Sequence, residues 1–180
     1  MHLLNYNFTK KLFMAALGIL SFLIIISLIA YKDSNQKYMF FEKMYYDNSQ
    51  IANIENNNIA FFHVSFKGYY ERFSKFNGIK TICKINAYEY GDIRIDTKLS
   101  FNGGNFKIVL VLPNGEIKTI SEFTEKNKKG IFSTKEVRTS EFRLPKGISY
   151  IKIVGFNAKV SYNIKVSKVD VKAKAEILME

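Results

Sequence analysis

Hydrophobic and polar positions follow two different rhythms along this chain. From Leu12 to Tyr31 the sequence LFMAALGILSFLIIISLIAY carries no charge, and about twenty residues at roughly 1.5 Å rise each reach across a hydrocarbon core of about 30 Å. Twelve of those twenty are Leu, Ile or Phe, which favours insertion by roughly 4 to 7 kcal/mol. From Ile59 onward the period drops to two, the mark of strands with one buried face. In Asp92 to Phe101, for example, Ile93, Ile95, Thr97, Leu99 and Phe101 point one way while Arg94, Asp96, Lys98 and Ser100 point the other.

Similar alternation predicts strands at Ile59 to Lys67 and Ile79 to Ala87. Phe106 to Leu112 is apolar on both faces, as a central strand requires. Pro113-Asn114-Gly115 makes a tight turn, with Pro presetting the first corner and Gly accepting positive φ, and Glu116 to Phe123 returns. Further strands are expected at Ile131 to Arg138, Ser140 to Leu144, Ile148 to Val154 and Val160 to Val166, with Gly103-Gly104 and Gly155-Phe156-Asn157-Ala158 as turns. After Ser167-Lys168 the alternation resumes from Val169 to Ile177. Roughly seven to nine short strands at spacings of about ten residues indicate an all-β antiparallel sandwich, jelly-roll or Ig-like.

The organisation follows: residues 1–11 as a short cytoplasmic segment, 12–31 as a transmembrane helix, 32–58 as a juxtamembrane stalk and linker, and 59–180 as the β-sandwich. Lys37 to Tyr46 suits a continued helix, with Phe40 and Met44, and Phe41 and Tyr45, at i, i+4. Its rings fit either the headgroup region or the base of the β-domain. Asn48 to Asn58 reads as linker. No small-x-small site follows the apolar run, so a retained signal anchor is expected rather than a cleaved signal peptide. Lys10 and Lys11 precede the span and Lys32 and Lys37 follow it, which leaves the charge rule nearly balanced. A large domain after the first span is ordinarily exported, so the expected location is the cell membrane, single-pass, with the carboxyl-terminal domain extracytoplasmic. The lone cysteine, Cys83, pairs with nothing in its own chain and reads as a small buried apolar residue.

A formal charge of +11 and a pI near 9.6 attract polyanions. Abundant Lys, Asn, Ile, Tyr and Phe also fit an AT-rich codon bias, which raises Lys without any ligand. The densest basic run, Glu125 to Gly130, reads as a solvated loop. With neighbouring Lys135, its lysines Lys126, Lys128 and Lys129 are the candidate anion-binding residues. Tyr69, Tyr70, Tyr88 and Tyr90 lie beside turn residues, where a sugar ring stacks on them or where they pack a sandwich corner. Nucleic acid is not expected as a partner, since no recognition motif is present and an exported domain meets little of it.

Catalytic, metal and cofactor residues are not found. His2 and His63 are the only histidines, so a zinc site has nothing to assemble from. No Gly-x-Ser-x-Gly occurs. Asp92 and Asp96, on one strand face, stand about 13 Å apart, too far for paired-carboxylate hydrolysis. No enzyme activity and no cofactor are expected. At Leu144 to Val166 the text LPKGISYIKIVGFNAKVSYNIKV resembles the last hairpin of small exported β-sandwich domains of clostridia and bacilli, including pre-peptidase C-terminal-like modules, although Lys159-Val160 stands where such modules often have Gly. The resemblance implies a fold and a location only. The expectation is thus a single-span envelope protein presenting a non-catalytic β-sandwich for binding or assembly. Alternatives are a carbohydrate- or wall-polymer-binding module, or an accessory or sensor subunit of a membrane complex. Expected partners are the membrane and an anionic wall polymer, a carbohydrate or an envelope protein.

Overall fold

A computed structural model describes residues 2–54, 56–66, 70–127, 134–169 and 175–179. The chain divides into two compact units, residues 1–40 and 41–180. The first is the body of helix α1 (His2–Tyr46). Leu23, Ile24, Ile25 and Ile26 are 56, 51, 54 and 47% exposed. Four consecutive positions at 100° each leave no side of the helix covered, so its apolar side chains are exposed all round. Ser21 and Ser27 return their hydroxyls to the carbonyls of Gly18 and Ile24 at 2.9 and 2.7 Å, so they add no unsatisfied donor. Among the described residues one helix is long and apolar enough to cross a membrane, by length and composition.

The second unit contains the end of α1, a short helix α2 (Asn48–Asn53), and strands β1 (Asn56–Phe66), β2 (Tyr70–Ala87), β3 (Gly91–Val111), β4 (Ile117–Phe123), β5 (Thr134–Leu144), β6 (Gly147–Lys168) and β7 (Ala175–Met179). All pairings are antiparallel. Three long strands, β2, β6 and β3, run side by side through the whole sheet. Beside their outer halves β1 and β5 complete one layer, β1-β2-β6-β3-β5. Beside their other halves β7 and β4 complete a second layer, β7-β2-β6-β3-β4. Side chains of both halves meet in one core: Phe73 and Ile85 of β2, Leu99 and Ile108 of β3, and Ile153 and Val160 of β6. The fold is therefore an antiparallel sandwich whose two layers share three bent strands.

The bends are β-bulges that lie in register. β2 shifts between Phe73 and Gly78, β3 between Phe101 and Asn105, and β6 at Asn157, whose φ is 52°. Each bulge changes which parity faces inward, from Phe101 to Phe106 on β3, so that one face stays apolar through the corner. Gly104 (φ 80°) has Asn157 O only 2.2 Å from where a Cβ would stand, and Gly155 has Phe76 Cδ1 at 2.3 Å from the same point. The Asn157 amide donates to Asn77 Oδ1 at 2.7 Å, fixing the crease across two strands.

Here the structure corrects the expected turns. Gly103-Gly104 and Gly155 to Ala158 lie inside continuous strands, so Leu144 to Val166 is not a hairpin but the end of β5 and most of one bent strand. Glycine at positive φ serves a bulge as well as a turn, and the neighbouring strands decide between them. Likewise, residues 134–144 form the single strand β5. Asn48–Asn53, which read as linker, are helical because the Asp47 carboxylate caps them, accepting from Ser49 N at 3.0 Å and Gln50 N at 3.3 Å. Cys83 is buried, as expected.

Candidate binding face

The two layers differ in what covers their outer surfaces. On the second layer, Ile79, Val109, Val111, Val154 and Phe156 point outward and are buried by Phe41, Met44 and Tyr45 of α1 and Ile51 of α2. This explains why residues 106–112 are apolar on both sides. Three polar ties hold the cover down. Tyr45 donates to Glu122 Oε1 at 2.9 Å; burial first, then the Glu122 charge, pushes its phenol well above the usual tyrosine range. Lys107 Nζ lies 4.7 Å from the Tyr45 ring centroid, and desolvation lowers its pKa, with Glu122 opposing. Lys152, 2% exposed, donates to the carbonyls of Ile51, Ala52 and Ile54 at 3.0, 3.0 and 2.8 Å, closing the carboxyl end of α2 as a cation at a helix terminus does.

The first layer has an open outer face. Antiparallel register assembles it in rows: Tyr70, Asn163, Lys98 and Val137 in one, and Arg72, Ser161, Ser100 and Lys135 in the next toward the crease. Two depressions share Ser100 and Ser161. One, of about 370 Å³, is bordered by Tyr70, Lys98, Lys135, Val137 and Asn163. The other, of about 260 Å³, is deeper and polar, bordered by Arg72, Ser74, Asn102 and Lys159. Together they form a groove bordered by hydroxyls, amides, Tyr70 and four cations, the first depression largely apolar in its lining and the second polar. The acid beside it, Glu136, accepts a hydrogen bond from Ser121 of β4. Farther along, Thr139 donates to Asp96 at 2.7 Å and Arg94 pairs with Glu141 at 2.7 Å.

Of the sequence candidates, Tyr70 and Lys135 come together in this groove. Tyr88 and Tyr90, 51 and 68% exposed, sit on the turn between β2 and β3. Tyr90 lies under the Arg143 guanidinium, 5.9 Å from its ring centroid. Gly91 beside that turn and Lys98 in the Tyr70 row are seven residues apart on β3, about 23 Å, so the tyrosines make no common platform. Lys126 is exposed on the turn following β4, and Tyr69, Lys128 and Lys129 lie outside the described residues. Sequence reasoning missed Arg72, Asn102, Lys159 and Ser161, although Lys98 and Ser100 were on the face read as wet. Among the described residues no cluster of three metal-ligating side chains occurs.

No protein-family model matches the chain, and no curated protein matches it. Among solved structures it is similar to a family 35 carbohydrate-binding module from Paenibacillus barcinonensis, with 16% identity over 63% of this chain and 91% of that one at a TM-score of 0.37. It is also similar to a carbohydrate-binding module of Cellvibrio mixtus lichenase 5A in complex with cellotriose, with 10% identity over 66 and 92% and a TM-score of 0.38.

Proposed function

We propose that the chain is a single-span envelope protein, anchored by α1, whose extracytoplasmic β-sandwich binds polysaccharide without catalysis along the open face of the first layer. The observation that carries this reading is the contrast between the layers: one outer face is apolar and covered, while the other holds a groove bordered by hydroxyls, amides and cations that nothing among the described residues covers. Serine hydroxyls and asparagine amides offer the donor and acceptor pairs that a hydroxyl-rich ligand needs, and the Tyr70 ring at the groove edge offers a surface for a sugar ring. A protein partner requires an apolar or aromatic centre. Among the described residues Val137, 76% exposed, is the one large hydrophobic strongly exposed on this face. Tyr88 and Tyr90 belong to the distant turn.

The test is retention of the full chain, in a zwitterionic sugar-free detergent, on a panel of polysaccharides. Ser161→Tyr places a ring in the shared floor of both depressions and abolishes retention while the melting temperature stays that of wild type. Equal retention by this variant, or no retention of the wild type on any member of the panel, overturns the reading.

A further inference from the structure

We infer that the polysaccharide is acidic, and that the depression between Arg72 and Lys159 seats its carboxylate or phosphate groups; this rests on the polysaccharide reading above. Arg72 of β2 is paired with Ser161 of β6, and Lys159 lies two residues farther along β6, so the two cations flank the same hydroxyl. Ser74, Ser100 and Asn102 complete the border. Neither Arg72 nor Lys159 is in an ion pair with any of the described residues. Several other basic side chains of the sandwich are paired or buried: Lys80 pairs with Glu71, Arg94 with Glu141, and Lys152 closes α2.

Among the described residues no acid borders this depression. Asp96, the nearest acid along β3 on that face, is four residues from Ser100, about 13 Å away. Two cations with no ion-pair partner among the described residues, beside three hydroxyls and an amide, form a site for a group that is both anionic and rich in acceptors. The guanidinium grips two oxygens of a planar carboxylate or a phosphate, and the ammonium adds a point charge. Lys98 and Lys135 continue the positive charge along the adjoining depression. A single small anion would leave those two unused, so a chain is favoured over an isolated ion.

The experiment titrates the full chain in the same detergent with three probes: polygalacturonate, poly(glycerol phosphate) and a soluble neutral β-1,4-glucan. Wild type binds one or both acidic polymers at least about tenfold more tightly than the glucan, and raising salt from about 0.15 to 1 M, where the screening length falls from about 8 to 3 Å, removes most of that preference. The variant Arg72→Gln/Lys159→Gln loses about tenfold or more of its affinity for the preferred acidic polymer, the scale of one charge-assisted hydrogen bond, with an unchanged melting temperature. Which acidic polymer prevails tells carboxylate from phosphate. Equal binding of glucan and acidic polymers, or a variant that binds the acid like wild type, overturns the inference while leaving the polysaccharide reading in place. A control titration with duplex DNA that matches the preferred acidic polymer also overturns it, as general polyanion attraction. Failure of all three probes, together with the wider panel, overturns the polysaccharide reading itself.

Discussion

Removing residues 1–57 deletes Phe41, Met44, Tyr45 and Ile51, which are 8, 0, 0 and 0% exposed in the folded unit. Full burial of such a side chain contributes roughly 1.5 to 3 kcal/mol, so the four together contribute about 6 to 12 kcal/mol, an upper figure because the unfolded chain already hides part of that surface. A domain of this size is stable by only about 5 to 15 kcal/mol. The loss also uncovers Ile79, Val109, Val111, Val154 and Phe156 as one apolar patch, a surface that invites association. Two fragments decide the matter. Residues 41–180 melt cooperatively by circular dichroism and elute as a single species, whereas residues 58–180 lack a cooperative transition or aggregate. A 58–180 fragment melting within a few degrees of the longer one would refute the claim that the end of α1 is part of the core.

Gly155→Ala directs a methyl into the Phe76 ring and costs about 1 to 3 kcal/mol, while Gly104→Ala, with positive φ and backbone oxygen in its way, costs more; chemical denaturation of the 41–180 fragment ranks them. Lys152→Met leaves carbonyls at the end of α2 without their cation and destabilises by about 2 to 4 kcal/mol, read in the same assay, and recovery of wild-type stability would show that the three bonds contribute nothing. Above pH 10 stability declines, because Tyr45 and Tyr162, both raised by burial first, remain protonated in the folded state while the unfolded chain ionises them. Their contribution is complete below the ordinary value of 10.0 and is lost as pH rises beyond it, at up to about 1.4 kcal/mol per pH unit for each tyrosine. Lys107, lowered by desolvation, opposes this slope just below 10.5. Tyr45→Phe therefore flattens the decline, and an unchanged slope would contradict the assignment.

Much of the fold is legible in the residues. Asp92 to Phe101 alternates as read, with its five apolar-side positions buried. The Pro113 to Gly115 turn is closed by Gly115 N donating to Leu112 O at 2.9 Å. The double-sided apolar run at Phe106 to Leu112 announced a covered face but not its cover, since the period-four pairs in Lys37 to Tyr46 fit a membrane interface equally well. The bent strands were hidden because a Gly-Gly or Gly-x-Asn step has the same local chemistry in a bulge and in a turn. The groove was hidden for a different reason: Arg72, Ser100, Lys159 and Ser161 come from three strands and become neighbours only through register, which a single sequence does not encode locally.

The claim that the open face of the first layer is the binding surface is tested most directly by a reporter placed on it. Cys83 is buried, so a thiol-reactive fluorophore goes selectively to Val137→Cys at the groove, or, as the control, to Thr119→Cys on the exposed side of β4 in the second layer. Adding the bound acidic polymer shifts the emission of the Val137 probe in a saturable way and leaves the Thr119 probe unchanged. A response confined to Thr119, or equal at both positions, would contradict the account.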